Sequence, residues 1–420
     1  MTDYPSRRHV LKATLATSGL LLAGRIPATA AVRRLRVARG VNTFPWFSLT
    51  REFPAPRTDY AWPPFQTSRP VPTRNDLDRL RRSGLDFIRI PVDPGPFLAG
   101  SLAQRESLLA MLMDAVGLAL DARLKVIVNL QANGATHYWN PYRLLSGPDA
   151  PGFAAYLELV SDIAARLRRF PPEDIGLEPI NEPMQACASD VWPTMQWQLL
   201  EAARRASPDV TLVATGACGS MLTGLDALDP APLAAFEPLI FTFHFYEPYL
   251  FSHQGAPWMQ EPVYRDLNAV PWPAREGSLE QTLAAVRKRM AADTGISPER
   301  KAAAYAETVK VLKVYFDADP GRPYIDHYLD MATTWAKRHG ISSDRILMGE
   351  FGALRTDARY VAAGANDRAR YIRDVRESAE AHGFAWAFWN LFDGMGMIDD
   401  VTRRFDPAIT EALGLIVPRG

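Results

Sequence analysis

Eight short apolar segments recur along the chain, and segments with a helical spacing of apolar residues separate most of them. The apolar segments cover residues 35–42, 87–92, 125–131, 177–183, 210–214, 239–246, 346–352 and 384–389. The helical segments cover residues 73–84, 105–121, 153–170, 192–206, 324–339 and 367–382. This alternation predicts parallel strands joined by right-handed crossovers. The closed arrangement of eight such units is a single (β/α)8 TIM barrel of the α/β class, with its active site at the C-terminal ends of the strands.

Two segments interrupt this alternation. Residues 53–72 are rich in proline, which cannot donate to a ladder or continue a helix, so we predict a long surface loop there. Residues 247–321 form a long insertion after the sixth strand. Its aromatic residues, which we expect to line the cleft, are Tyr249, Phe251, Trp258, Tyr264 and Trp272. We predict no second domain.

Two of the predicted strands end in a glutamate. Glu182 follows Asn181 at the end of segment 177–183, and Glu350 lies in the Gly-Glu-Phe-Gly of segment 346–352. A carboxylate at the tip of a buried strand costs free energy unless it is paired or used. Glycoside hydrolysis uses two carboxyl groups, one as acid and one as nucleophile or base. Either glutamate alone is equally typical of a helix N-cap or a salt bridge.

Asn-Glu-Pro followed by Gly-Glu-Phe-Gly resembles the retaining β-glycanases of the cellulase-like glycoside hydrolase family 5. The resemblance implies that Glu182 is the acid/base and that Glu350 is the nucleophile. It also implies a retaining, endo-acting hydrolase of β-linked glucan, with the two carboxyl groups roughly 5 to 5.5 Å apart. The expected partner is a polysaccharide or oligosaccharide substrate.

Arg89 lies inside the apolar segment 87–92, and a buried arginine is rarely left unpaired. Its setting, Ile-Arg-Ile-Pro, is similar to that in the same family, where the cation keeps the nucleophile ionised. The alternative is an ion pair with Glu178, which strand alternation places on the same side as Glu182.

Four further residues match substrate-site positions of the family. Asn181 would bind the sugar 2-hydroxyl, although it can also act as an N-cap. His244 and Tyr246 share one face of the sixth strand by period two, which puts His244 near the substrate and Tyr246 near the nucleophile. Trp389 would be the stacking platform at the cleavage point, whereas Trp386 is assigned to the core.

Loops at the same end of the barrel supply further subsite candidates, namely Asn42, Trp46, His137, Tyr138 and Trp139. The third strand departs from the family, which usually has Asp-x-His where this chain has Asn129-Leu130-Gln131. The imidazole is therefore missing. His137 is a candidate to fill its space, and Gln131 can hydrogen-bond a sugar hydroxyl.

Three alternatives follow from these residues. A mannan- or xylan-active enzyme, or one acting on an aryl or lipid glycoside, would share the same two glutamates. The Asn129 and Gln131 departures suit a non-catalytic carbohydrate-binding barrel. An envelope interaction protein would use the aromatic insertion as its docking face.

The composition of the chain limits which partners and cofactors are expected. Lys plus Arg equals Asp plus Glu at 47 each, so there is no electrostatic reason to expect nucleic acid or an anionic membrane. No metal site is predicted, because no cluster has metal-ligand spacing, and no cofactor is needed by two carboxyls and water. We expect a monomer without stable membrane insertion. Cys187 and Cys218 are the two cysteines, and a bridge and two free thiols are both compatible with their positions.

The first thirty residues resemble an export signal. Residues 6–12 read Ser-Arg-Arg-His-Val-Leu-Lys, a twin-arginine pattern, and an apolar run at 13–23 and an Ala-Thr-Ala at 28–30 follow it. We predict that residues 1–30 are cleaved and that residues 31–420, the catalytic barrel, are periplasmic or secreted. A disordered basic arm is the alternative.

Overall fold

The computed structural model describes residues 34–417, so the twin-arginine pattern and its cleavage site lie outside the described residues. The strands are β1 (Arg39–Asn42), β2 (Thr50–Glu52), β3 (Tyr60–Phe65), β4 (Phe87–Val92), β5 (Lys125–Leu130), β6 (Ile175–Glu178), β7 (Thr211–Thr215), β8 (Leu239–Phe245), β9 (Ile346–Phe351) and β10 (Ala385–Phe388). The helices are α1 (Arg74–Ser83), α2 (Gly95–Ala99), α3 (Leu102–Asp121), α4 (Pro141–Leu145), α5 (Phe153–Leu167), α6 (Trp192–Ala206), α7 (Leu222–Asp226), α8 (Tyr249–Ser252), α9 (Pro262–Asp266), α10 (Leu279–Ala292), α11 (Pro298–Ala318), α12 (Arg322–His339), α13 (Ala365–Ala381) and α14 (Pro407–Ala412).

Eight strands form a closed parallel barrel in the order β1-β4-β5-β6-β7-β8-β9-β10, and β10 pairs with β1. The predicted (β/α)8 fold is therefore confirmed. Because all pairings are parallel, the C-terminal ends of the strands meet at one mouth, where the loops carrying polar residues converge. In the described part of the chain, no helix has the length and apolar character that crossing a membrane requires.

Alternation along the strands fills the barrel interior in layers. The layer nearest the N-terminal ends is apolar and includes Phe87, Ile127 and Ile240. Two residues further along the same strands, the inward positions are polar and buried: Arg89, Asn129 and Thr242. The apolar layer fills the N-terminal end of the barrel, and the polar layer lies between it and the mouth.

Gly40 in β1 permits the close approach that the apolar layer needs. A Cβ at this position would lie 2.4 Å from the Phe87 ring, so any larger residue would displace that ring. The absence of a side chain lets β1 and β4 pair with Phe87 filling the space between them.

A β-bulge turns Glu350 into the barrel. Thr242 pairs with Leu347 and Phe243 with Met348, but His244 pairs with Glu350, so Gly349 is the extra residue. Strict alternation from the inward Leu347 would point Glu350 outward. The bulge shifts the register by one residue and places Glu350 beside His244 on the inner face.

Strand β6 ends earlier than predicted. It stops at Glu178, and Asn181 and Glu182 lie in the following loop. Pro179 has no N–H for the ladder, which ends regular pairing at that point. One further backbone bond, from Asn181 N to Leu130 O at 2.9 Å, still fixes the loop against β5.

The predicted helices are present, with shifted ends. Thr73 caps α1 in a capping box with Asp76, as its sequence suggests. Helix α3 begins at Leu102 rather than residue 105, because Ser101 and Gln104 form a second capping box. Helix α6 has the predicted bounds.

The prediction of a continuous surface loop at residues 53–72 is wrong. Strands β2 and β3 form a two-stranded antiparallel sheet through the pairs Thr50↔Phe65 and Glu52↔Tyr60. Pro63 and Pro64 are tolerated because a two-stranded sheet has free edges that need no donor. Phe65 is buried and packs edge-on against Phe47, which anchors this hairpin to the barrel.

The insertion at residues 247–321 is mostly helical, and two of its aromatic residues lie away from the mouth of the barrel. Phe251 and Trp272 are fully buried, and both pack on Tyr371 of α13, so the prediction that they line the cleft is wrong. The Trp272 indole also donates to Asp374 at 2.8 Å. Apolar burial against an outer helix outweighs exposure at the mouth for these two rings.

Candidate active site

Arg89 joins the two sides of the site. Its guanidinium is fully buried and donates from Nε and Nη2 to Glu178, at 2.6 and 2.9 Å. Nη1 donates to Glu350 Oε1 at 2.8 Å, and Nη2 to Asn181 Oδ1 at 2.6 Å. Both roles considered for Arg89 are therefore present at once. Burial alone would lower the pKa of Arg89, but Glu178 and Glu350 outweigh it and raise the pKa.

Glu350 accepts two hydrogen bonds from groups that stay protonated. Arg89 donates to Oε1, and the Tyr246 hydroxyl donates to Oε2 at 2.9 Å. Burial and the nearby Glu350 charge hold the pKa of Tyr246 well above its usual value, so the phenol remains a donor. Burial also raises the pKa of Glu350, against the opposing effect of His244 and Arg89. Donors on both oxygens favour the ionised carboxylate.

Glu182 has a different environment. Its Oε1 lies 2.7 Å from His244 Nδ1, and 42% of its side-chain surface faces the open mouth. The walls of the mouth nevertheless displace water from the carboxyl, and this desolvation raises the pKa of Glu182 to about 7, with the charge of Arg89 acting in the opposite direction. Burial also lowers the pKa of His244, so its imidazole is neutral near pH 7. Glu182 is thus poised to hold a proton.

The two carboxyl groups face each other. Ligating atoms of Glu182, His244 and Glu350 all lie within 4.8 Å of one another. Carboxyl oxygens within this limit fit the close pair of retaining glycosidases, roughly 5 to 5.5 Å apart, and not the larger spacing that leaves room for a water. The pair of environments also separates the roles, because Glu182 retains a proton more readily than a carboxylate held by Arg89.

The same three residues have the donor types to ligate a divalent cation. Arg89 and Tyr246 already occupy one oxygen each of Glu350. A permanent guanidinium charge at 2.8 Å also repels a second cation. The arrangement therefore suits acid/base and nucleophilic chemistry better than metal binding.

Asn42 lies beneath the site rather than in a subsite. Its side chain is fully buried, its Oδ1 accepts from Arg89 at 2.8 Å, and its Nδ2 donates to Gly349 O at 2.9 Å. The prediction that Asn42 is a substrate-binding residue is wrong, because both polar atoms are already used within the protein. Asn42 instead holds Arg89 and the bulged Gly349 in position.

The other loop candidates also have protein partners. His137 contacts Glu52 and Arg57 O through its two ring nitrogens, at 3.0 and 2.9 Å, so it does not replace the missing imidazole. The Trp139 indole donates to Thr58 O at 2.8 Å. Trp46 is buried in the core. The β2–β3 hairpin was not predicted, and it engages His137 and Trp139.

The departure on the third barrel strand leaves polar atoms without protein partners. Asn129 is fully buried, and neither Nδ2 nor Oδ1 has a hydrogen-bond partner within the described residues. Gln131 Oε1, two positions nearer the mouth, is in the same state. Buried polar atoms of this kind are satisfied by water or by a ligand, so Gln131 remains a candidate for substrate contact.

A disulfide, one of the two possibilities that the sequence left open, lies beside the loop that carries Glu182. Cys187 and Cys218 are bonded, with Cα atoms 4.5 Å apart. Next to the bridge, Ser220 Oγ donates to Asn181 O at 2.7 Å, and Gly219 N donates to Pro183 O at 2.9 Å. The turn after β7 thus braces the loop that carries Glu182. The two cysteines indicated a possible bridge in the sequence, whereas no sequence pattern indicated that Ser220 would contact this loop.

Trp389 follows β10 at the mouth and is half-buried. Its indole packs on Phe44 with ring centroids 5.5 Å apart and belongs to an apolar cluster with Tyr246 and Met395. Trp386, three residues earlier and within β10, is fully buried, as predicted.

A separate cavity of about 1330 Å³ lies in the insertion, between α9, α10 and α11. Its wall includes the ion pair of Asp266 and Arg289, whose atoms are 3.6 Å apart. None of its lining residues belongs to the Glu182–Glu350 cluster, so the cavity is distinct from the candidate active site.

A (β/α)8 barrel with two facing glutamates at its mouth defines a class of glycoside-cleaving barrels, and sequence comparison places the chain within it. Residues 53–394 match the family described as Cellulase (glycosyl hydrolase family 5). The chain therefore belongs to glycosyl hydrolase family 5. Endoglucanase 3 of Fibrobacter succinogenes is 22% identical over 350 residues, which are 81% of this chain and 49% of that protein. The chain thus spans about half the length of this curated relative.

Solved structures share the fold. Clostridial cellulose synthase subunit Z from Clostridioides difficile superposes with a TM-score of 0.63 at 19% identity, covering 90% of this chain and 99% of that one. A hyperthermophilic endo-beta-1,4-glucanase in complex with substrate gives 0.62 at 21% identity, covering 90% and 97%. Thermotoga maritima Cel5A in complex with mannotriose gives 0.62 at 18% identity, covering 91% and 98%.

Proposed function

We propose that this protein is a retaining, endo-acting glycoside hydrolase that cleaves β-linked glucan by double displacement. Glu350 attacks the anomeric carbon while Glu182 gives its proton to the departing sugar oxygen. Water then attacks the anomeric carbon while Glu182 takes one of its protons, and the bond from that carbon to Glu350 breaks. The net reaction consumes one water per bond cleaved and needs no other reactant.

One observation carries the proposal. Ligating atoms of Glu182 and Glu350 lie within 4.8 Å of each other, and the two carboxyls have different hydrogen-bond partners. Arg89 and Tyr246 direct donors at Glu350, whereas burial raises the pKa of Glu182 to about 7. Opposite protonation states at this spacing are what a retaining mechanism requires.

A β-glucan is the preferred substrate because the matching family is a cellulase family and the curated relative is an endoglucanase. Related barrels have been crystallised with cellobiose and with mannotriose. A mannan is therefore the second candidate substrate. Hydrolysis by the purified protein should be measured on β-glucans, mannans and xylans. Activity on mannan or xylan alone would replace the proposed substrate but not the mechanism.

Glu350→Gln tests the nucleophile. The variant keeps the shape of the side chain but removes the attacking charge, so hydrolysis should be abolished while oligosaccharide binding, measured by calorimetry, persists. Glu201→Gln, the same change on the exposed face of α6, is the matched control and should retain activity. Turnover by Glu350→Gln close to that of the control would reject the assignment.

Glu182→Ala tests the acid/base. Loss of proton donation should slow cleavage of substrates with poor leaving groups by about 10²–10⁴-fold. Activated aryl glycosides need no such proton, and azide can attack the glycosyl-enzyme without a general base. Azide should therefore restore turnover on activated substrates. If the ion produced no rescue, Glu182 would not be the acid/base.

We propose further that the enzyme acts in the periplasm or outside the cell. The twin-arginine pattern at residues 6–12 supports export, and the Cys187–Cys218 disulfide suits an oxidising compartment. Replacing Arg7 and Arg8 by lysine should keep the protein in the cytoplasm, as assayed by cell fractionation. Export of this variant at the normal level would refute the proposed route.

A further inference from the structure

A continuous set of rings leads outward from Glu350 along one side of the mouth. The Tyr246 hydroxyl donates to Glu350, and the Tyr246 ring lies 5.0 Å from His253 and 6.2 Å from Tyr249. Tyr249 and His253 stack on each other with centroids 4.9 Å apart. These rings pack tightly at the start of the insertion, so they form a fixed wall rather than a loose loop.

Trp258 stands at the outer end of this wall. It lies 6.2 Å from His253 and 6.3 Å from Tyr360, and it meets both rings edge-on. Two edge contacts hold the indole in place, yet 50% of Trp258 is exposed. A large aromatic side chain that is braced but half uncovered has a free face available for a ligand.

The rings come from loops that open at the same end of the barrel. Trp258 follows β8, and Tyr360 follows β9. The loop after β10, which begins at Trp389, packs directly on Tyr360, because a Cβ on Gly394 would lie 2.7 Å from that ring. Tyr360 therefore links the Trp258 side of the mouth to the Trp389 side.

The surroundings of Trp258 favour an uncharged ligand over an anionic one. Burial lowers the pKa of His253 to about 4, so its imidazole is neutral at pH 7. Arg359 lies over Tyr360, but its charge is already paired with Asp357, Asp393 and Asp400. An anionic ligand would find no free cation among these groups, whereas the C–H face of a neutral sugar ring packs well on indole.

We propose that Trp258 is a second stacking platform in addition to Trp389. It binds a pyranose unit of the substrate chain that lies away from the glycosidic bond cleaved between Glu182 and Glu350. The proposal rests on the proposed function for its substrate class. It assigns a binding role to the insertion, two of whose other aromatic residues, Phe251 and Trp272, pack against α13. A platform at the outer end of the ring wall lengthens the stretch of polysaccharide that the mouth can hold.

The test compares Trp258→Ala with Trp258→Phe and with Trp197→Ala. Trp197 lies on the outer helix α6 and is 38% exposed, so it controls for loss of a surface indole. Trp258→Ala should lower kcat/KM on polymeric β-glucan about tenfold, mainly through KM. The loss should be smaller on an aryl glycoside with a short sugar. Trp258→Phe should recover part of it, and Trp197→Ala should match the unaltered enzyme.

Binding to the inactive background separates this proposal from the proposed function. In Glu350→Gln, cellohexaose affinity by calorimetry should fall when Trp258→Ala is added. Normal polymer hydrolysis by Trp258→Ala would overturn the platform and leave the enzyme proposal standing. Weakened cellohexaose binding in a protein that hydrolyses no glycan would keep the platform and reject the enzyme. Absence of both binding and hydrolysis would reject both.

Discussion

Arg89 is the residue through which the fold and the candidate chemistry depend on each other. It is fully buried and its charge is shared by Glu178 and Glu350, with Asn42 and Asn181 accepting the remaining hydrogen bonds. Removing the cation would leave two buried carboxylates facing each other without compensation.

Arg89→Met should therefore destabilise the protein by about 3–5 kcal/mol, because uncompensated buried charge costs more than the lost pairing alone. The free energy of unfolding from urea titration measures this. Arg205→Met, which removes an exposed pair with Glu201, is the matched control and should leave stability nearly unchanged. Equal stability of the two variants would contradict the role of Arg89 as the buried counter-charge.

The pKa of Glu182, about 7, predicts the alkaline side of the pH profile. The proton donor works only below its pKa, so kcat/KM should fall as pH rises through about 7. On the acid side, activity should fall when Glu350 becomes protonated. Because Glu182 and Glu350 interact, both limbs of the pH profile report the titration of the pair and not of either residue alone.

The diagnostic measurement is the pH profile of Glu182→Gln on an activated aryl glycoside. The alkaline limb should disappear, because glutamine does not titrate. Persistence of a limb near pH 7 in this variant would assign that titration to a different group.

Residue types and the family resemblance together indicated that Glu182, Glu350 and Arg89 lie close to one another, but not which groups the surrounding residues contact. Glu182, Glu350 and Arg89 were predictable because a charged residue within or directly after an apolar segment costs free energy unless it is paired or used. Asn42 and His137 were not, since their partners, Arg89 and the β2–β3 hairpin, come from distant segments. Sequence pattern gives a residue's face, whereas its hydrogen-bond partners depend on tertiary contacts.

At the scale of elements, two local irregularities decide where the glutamates point. The bulge at Gly349 turns Glu350 inward, and the loop after β6 carries Glu182. Periodicity predicted the strands themselves, several to within a residue. It could not predict a bulge, because a bulge is a register shift against a neighbouring strand.

The disulfide beside the Glu182 loop gives a prediction at this scale. Cys187→Ser/Cys218→Ser should lower kcat by up to about 10²-fold for substrates with poor leaving groups, because a loosened loop misplaces the proton donor. Activated aryl glycosides should be affected less. The ratio of the two rates is the measurement, and circular dichroism confirms folding. An equal loss on both substrate types would indicate general destabilisation instead of misplacement.

At the scale of the whole molecule, the closed barrel brings residues 89, 182, 244 and 350 to one mouth. The repeated strand and helix pattern was enough to predict that closure. The insertion was not predictable in the same way, because Phe251 packs on Tyr371 of α13 whereas Trp258 contacts Tyr360 in the loop after β9. Its aromatic content gave no indication of which rings would be buried.

Trapping the glycosyl-enzyme tests the central claim most directly. The protein is incubated with an activated 2-deoxy-2-fluoro-β-cellobioside, digested, and mapped by mass spectrometry. The account predicts one fluoroglycosyl unit on the peptide that contains Glu350. Label on the Glu182 peptide, or an unlabelled protein that still hydrolyses β-glucan, would contradict it.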